Sequence, residues 1–283
     1  MQDAGDARNG MAAAMKTVFL VGCPRSGTTW LQIILGSHPG IATVRETHLF
    51  DRYLSDIYAR YDSEAQKLGK DGLRILLGEE KLDLLCRGFA DGVLAEIAAT
   101  KPGCQVVLEK TASQIWSTQL MQRLYPEAYF LHIVRDPRAV VASMLAYARE
   151  SWANEGDPDV LSAAEAWLSA VAIGHVELAA LGERRIEIRY EDLVAEPEAT
   201  LAAILTPLGL DPMGYDRERF SIEAIKARGT EGSPLDPAWE NRANFFRRGS
   251  AEGWAEELSP AQVAVVEDAC ADLMAEFGYR RSV

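Results

Sequence analysis

Between Gly22 and Thr29 the chain reads Gly-Cys-Pro-Arg-Ser-Gly-Thr-Thr, a run whose residue types suit a phosphate. Gly22 and Gly27 let the backbone bend sharply and turn its N–H groups toward an anion. A helix that starts at the end of such a turn adds partial positive charge. Arg25 is the one strong cation in the loop. A nucleoside triphosphatase would carry Lys where Thr28 stands, with the following hydroxyl on magnesium. This loop is therefore expected to hold a phosphate-bearing ligand without the usual metal chemistry. Farther along, Glu46 and His48 alternate with Thr47, so in an extended segment both side chains face the same way. An acid and an imidazole returned to the region just past the loop can each accept a proton from a bound hydroxyl.

The elements that must position these residues follow from hydrophobic spacing. Val18-Phe19-Leu20-Val21 suits a short buried strand, and Leu31, Ile34 and Leu35 give the next segment one apolar helical face. Gln105-Val106-Val107-Leu108, ending at Glu109-Lys110-Thr111, reads as a second strand, and Tyr129 to Val134 as a third. The third runs into Arg135-Asp136-Pro137-Arg138, where Asp136 can cap a helix and Pro137 can occupy its first turn. That helix carries Val140, Val141, Met144 and Leu145 inward, a long helix follows over about 160–181, and Arg185 to Arg189 is a fourth strand. A helix over about 198–208 comes next, and a last one opens on Ser259, Pro260 and Gln262 and stops at Gly278.

The fold class is α/β, a central parallel sheet flanked by helices with a P-loop-like strand-loop-helix near the N-terminus. Residues 1–15 read as a disordered tail, and 16–283 as one domain. Helical spacing over 51–62 and 81–99 gives an insert, about 51–100, expected to cover the acceptor, with Tyr53, Tyr58 and Tyr61 as core packing. The irregular, charged stretch of about 228–250 reads as an active-site lid that ends in Phe-Phe-Arg-Arg-Gly-Ser.

With 283 residues, 48% hydrophobic and 25% charged, the chain can bury a full core. Its net charge of -13 argues against general binding to nucleic acid or to anionic membranes. No apolar run approaches the ~20 residues a transmembrane helix needs. Cys23, Cys86, Cys104 and Cys270 are scattered without metal-ligand spacing, which suits reduced thiols in a cytoplasm. Nothing in the sequence fixes the oligomeric state; a homodimer is compatible with it.

The pattern Pro24-Arg25-Ser26-Gly27-Thr28-Thr29-Trp30-Leu31 closely resembles the 5′-phosphosulfate loop of sulfotransferases, whose donor is 3′-phosphoadenosine 5′-phosphosulfate (PAPS). The resemblance covers nearly the whole chain beyond the tail and is dense in patches. It implies that Ser26, Gly27, Thr28 and Thr29 surround the 5′-phosphate, that Trp30 and Tyr190 lie by the adenine, and that Arg25 stands near the oxygen bridging phosphate and sulfate. It implies that Arg135 and Ser143 hold the 3′-phosphate and that Arg247, Arg248 and Gly249 close over it. Glu46 is the implied general base with His48 orienting the acceptor or the carboxylate, although His48 serves as base in other branches. Lys110 is implied to lie close to the transferred sulfate. The expected products are a sulfated small or amphiphilic acceptor and 3′-phosphoadenosine 5′-phosphate, with no metal. The alternatives are a P-loop kinase and a non-catalytic nucleotide-binding relative.

Overall fold

The computed structural model describes residues 15–66, 72–149, 159–228 and 252–282. The expected N-terminal tail, apart from Met15, and the expected lid, with Arg247, Arg248 and Gly249, lie outside the described residues except for Arg228 at the lid's start.

Strand β1 (Lys16–Val21) leads through the glycine loop into α1 (Thr28–Gly36) and on to β2 (Ile41–Thr43). Two helices, α2 (Ser55–Gln66) and α3 (Glu79–Ala99), precede β3 (Val106–Lys110). Then come α4 (Thr118–Leu124), β4 (Tyr129–Val134), α5 (Pro137–Ala148), α6 (Val160–Val176) and β5 (Arg185–Arg189). The chain continues with α7 (Tyr190–Ala195), α8 (Pro197–Leu205), α9 (Ile222–Arg228), α10 (Pro260–Ala269) and α11 (Ala271–Glu276).

The five strands make one sheet in the order β2-β3-β1-β4-β5, and every pairing is parallel. Side chains alternate across it. Phe19 and Val21 pack into one core with Phe130, Trp167 and the buried residues of α3. Val18 and Leu20 pack into the other with Leu31, Ile34, Leu201 and Ile204. Because all strands run the same way, Val21, Thr43, Lys110, Val134 and Arg189 end at one edge. The chain crosses from β3 over β1 to β4, so the crevice beyond the end of β1 is where this topology leaves room for a ligand.

The four expected strands form within a residue or two of their expected ends. The fifth, β2, has only three residues and owes its existence to pairing with β3 in the register Ile41 to Val106 and Thr43 to Leu108. Three details differ from the sequence reading. A π-helical turn over Leu49–Leu54 shifts the phase of the following helix, so Tyr61 is buried as expected whereas Tyr53 is 61% exposed. The long helix tightens to 3-10 geometry over Glu177–Arg184 and kinks at Gly182 (φ 57°); the whole stretch of 25 residues, Val160–Arg184, is long and apolar enough to cross a membrane by length and composition alone. Its Ala163, Ala164, Trp167, Ala170 and Val171 are buried in the main core, as in the central helix of a globular fold. The last helix breaks at Cys270, although Ser259 and Gln262 form the expected capping box and Gly278 ends it with φ 73°.

Candidate active site

The anion loop owes its shape to two close approaches. A Cβ at Gly22 would lie 2.6 Å from the Ile133 carbonyl oxygen of β4. Gly27 has φ 96°, and a Cβ there would lie 2.5 Å from the Tyr190 ring. Arg25 has φ 74°, a left-handed conformation that costs a non-glycine residue about 1–3 kcal/mol and persists only where its surroundings hold it. The Ser26 amide donates to the Cys23 carbonyl (3.1 Å), and α1 starts at once, with its N-terminal amides facing the crevice.

Around this loop the structure brings most of the sequence-derived residues together. The Arg25 Nε donates to Ser143 Oγ on α5 (3.1 Å), and its guanidinium lies over the Tyr147 ring (4.9 Å to the centroid). Arg135 Nη1 donates to the Arg25 carbonyl (3.2 Å) while its guanidinium covers the Tyr190 ring at 4.2 Å. Trp30 packs against Tyr190 with ring centroids 5.4 Å apart. Arg25, Arg135, Ser143, Trp30 and Tyr190 thus form one wall. Arg25 was expected beside the reacting sulfate, yet here its side chain turns to Ser143, for which the α5 hydroxyl supplies the reason.

The cation on the opposite wall is Lys110, the last residue of β3. Its ammonium is 3% exposed and donates to Thr29 Oγ1 (3.0 Å) and Glu46 Oε1 (2.7 Å). A buried ammonium needs such partners. Burial alone would raise the Glu46 pKa, but the charge and hydrogen bond of Lys110, with the nearby His48, hold it below the usual carboxylate range. Glu46 is therefore ionised at neutral pH. Its second oxygen lies 3.8 Å from His48 Nε2.

His48 is fixed from its other side. Nδ1 donates to Asp51 Oδ2 (3.1 Å), which also accepts from Ser113 Oγ (2.5 Å). Its backbone amide donates to Thr111 Oγ1 (3.2 Å), and its φ of 54° turns the chain into the π-helical segment. The simple extended segment read from the sequence is thus replaced by a left-handed corner, which still leaves Glu46 and His48 adjacent. Glu109, next to Lys110 and fully buried, accepts from Thr47 Oγ1 (2.7 Å) and Thr111 Oγ1 (2.8 Å). Burial pushes the Glu109 pKa up, and the two hydroxyls partly oppose this. Asp51, Ser113 and Glu109 carried no assigned role in the sequence. Asp51 was open to detection by its i+3 distance from His48; Ser113 and Glu109 meet the segment only through the fold.

Arg135 is anchored from behind. Its carbonyl accepts from Trp167 Nε1 (2.8 Å), and the next amide, of Asp136, donates to Glu191 (3.0 Å). The Asp136 carboxylate caps α5 and is gripped by the Arg138 guanidinium (2.7 and 3.0 Å), which reaches on to Glu267 of α10 (2.8 Å). Arg138 therefore ties the strand end to the C-terminal helices.

These features set an anion loop beside an ionised carboxylate, an imidazole and two cations, at the carboxyl edge of a parallel sheet. The model of the sulfotransferase family matches residues 17–213, and the chain belongs to that family. It is 28% identical over 288 residues to nodulation protein NoeE of Sinorhizobium fredii, covering 94% of this chain and 66% of that protein. Protein-tyrosine sulfotransferase 2 of Gallus gallus is 28% identical over 197 residues, 69% of this chain and 52% of its own length. The chain thus spans between about a third and two thirds of the length of the curated relatives it matches. Among solved structures, the sulfotransferase domain from the curacin biosynthetic pathway superposes with a TM-score of 0.56 at 18% identity, covering 95% of this chain and 99% of that one. A mouse sulfotransferase complexed with PAP gives 0.57 at 17%, covering 94% and 88%. At these identities the likeness establishes the fold.

Proposed function

We propose that the protein transfers a sulfuryl group from PAPS to a hydroxyl of a small or amphiphilic acceptor. The observation that carries this reading is Lys110 Nζ between Thr29 Oγ1 of the anion loop and Glu46 Oε1, which sets a proton acceptor one lysine away from the loop. When bound, the donor supplies an activated sulfuryl group on a phosphate leaving group. The loop suits a phosphate on its own terms: Ser26 Oγ is buried with no hydrogen-bond partner, and the α1 amides supply a positive helix end. Loop amides and the Thr28 and Thr29 hydroxyls would hold the 5′-phosphate, Arg135 and Ser143 the 3′-phosphate, and Trp30 and Tyr190 would border the adenine.

Glu46 takes the acceptor proton through Oε2, the oxygen that Lys110 Nζ does not bind. His48, held by Asp51, orients the carboxylate or the acceptor. Lys110 supplies positive charge where negative charge develops during transfer, while Arg25, turned to Ser143, adds positive charge on the 3′-phosphate side of the loop. The helical insert over about 51–100 covers the acceptor, and the net charge of -13 disfavours highly anionic polymers in that place. The four thiols are free, which accords with a cytoplasmic enzyme.

The test is calorimetric titration, without added metal, against adenosine 3′,5′-bisphosphate and against ADP, followed by transfer of labelled sulfate from PAPS to a panel of alcohols and phenols. Binding of the bisphosphate in clear preference to ADP, with label transferred, is the expected result. Equal binding, or preference for ADP with magnesium, overturns the reading in favour of a kinase.

A further inference from the structure

The outward side of α3 is apolar for most of its length. Leu84, Leu85 and Phe89 are 68%, 53% and 52% exposed, and Gly88, Gly92, Ala95 and Ala99 lie on the same exposed side. The inward side, with Leu82, Cys86, Ala90, Leu94 and Ile97, accounts for the helix's packing within the chain. Gly88 and Gly92 sit in mid-helix, where glycine weakens a helix relative to alanine. A Cβ built at either meets nothing within 4 Å. Among the described residues, packing inside the chain therefore gives no reason for either glycine, nor for the exposure of three large apolar side chains.

One arrangement explains both. Two glycines one turn apart make a notch that lets a second helix approach to the short end of the usual 8–10 Å interaxial range, with Leu84, Leu85 and Phe89 around it. The occupant is indicated by charge. Exposed Lys81 and Glu96 stand at opposite ends of the apolar stretch, equally far in sequence from the Gly88–Phe89 midpoint. Turned end for end, the surface complements itself: Leu85 faces Gly92, and Lys81 faces Glu96. An anionic membrane fits poorly against a chain of net charge -13.

We propose that α3 is a self-association face, on which a second copy of this chain packs antiparallel about a two-fold axis near Gly88 and Phe89. Each contact then occurs twice, as an isologous interface requires. Leu76, 79% exposed immediately before α3, extends the apolar area toward the partner helix's C-terminal end.

Sedimentation velocity of the full chain across micromolar concentrations tests this. The expected species has twice the 31.1 kDa chain mass. Gly88→Gln with Gly92→Gln, two better helix formers that fill the notch, gives the monomer with unchanged helix content by circular dichroism. Lys81→Glu weakens association by about tenfold, because two symmetry-related exposed pairs are lost, and Lys81→Glu with Glu96→Lys restores it. A wild-type monomer at every concentration overturns the proposal, as does a dimer that survives the filled notch or a charge-swapped pair that fails to recover. Flotation of a monomeric wild type with neutral phosphatidylcholine vesicles, lost in Leu85→Glu, would also overturn it by giving the face to a membrane.

Discussion

Replacing Lys110 by Met keeps the volume of a side chain that is 3% exposed and removes the one charge joining Thr29 to Glu46. Two effects follow. Loss of a preorganised cation from a transition-state site costs about 10²–10³ in rate. Glu46 also loses the partner that overcomes its burial, so its pKa rises and the acid limb of the pH profile of kcat/KM moves upward. The stability effect has the same origin. A carboxylate whose folded pKa is depressed stabilises the fold above its unfolded pKa of about 4.3 and loses that contribution as pH falls through the folded value. Breaking a buried ion pair costs about 3–5 kcal/mol, but the Glu46 side chain is 38% exposed, so solvent reduces this to roughly 1–2 kcal/mol. The melting-temperature gap between wild type and Lys110→Met should therefore be widest near neutrality and close as pH falls through the depressed Glu46 value. Steady-state kinetics with PAPS over a pH series and thermal melts in the same buffers measure both. A rate loss under about threefold, or an acid limb that moves downward, would refute the role given to Lys110.

Glu46→Gln should abolish transfer while calorimetry shows bisphosphate binding nearly unchanged, since the carboxylate faces the acceptor side; full activity here with loss in His48→Asn would move the base to His48. Arg135→Ala should weaken bisphosphate binding by roughly 10–100-fold, the value of a hydrogen bond to a charged group, and leave ADP binding much less affected. Gly27→Ala should lower stability by about 2 kcal/mol or more in chemical denaturation, because φ 96° and the Tyr190 ring both oppose a methyl group.

The central strands were legible because a parallel strand covered on both faces is a nearly continuous apolar run, as in Val18 to Val21 and, broken only by buried His132, in Phe130 to Val134. Ile41-Ala42-Thr43 was not, since three residues carry no period of their own and the strand exists through its bonds to β3. The loop residues were legible because glycine and threonine types there answer to a local geometry. Tyr53 was misplaced because the π-helical turn at 49–54 inserts a phase shift that no single residue announces. The His48 corner was hidden for a different reason. Its left-handed backbone is held by Thr111, from a strand end far away in sequence. At the Cys270 break the thiol likewise makes a contact distant in sequence, donating to the Ala164 carbonyl of α6 (3.6 Å).

Glu109 and Lys110, adjacent on β3, hold the same short segment at two points: Glu109 takes the Thr47 hydroxyl and Lys110 takes the Glu46 carboxylate. The helices that follow leave the sheet after this clamp and return to it at the start of β3. Exposed positions between residues 55 and 99 can thus change without moving Glu46 relative to the loop, while Tyr61, Leu82, Cys86, Ala90, Leu94 and Ile97 stay committed to the core. On the function proposed above, the fold separates the insert, which would meet the acceptor, from Glu46 and the anion loop, which must stay in register.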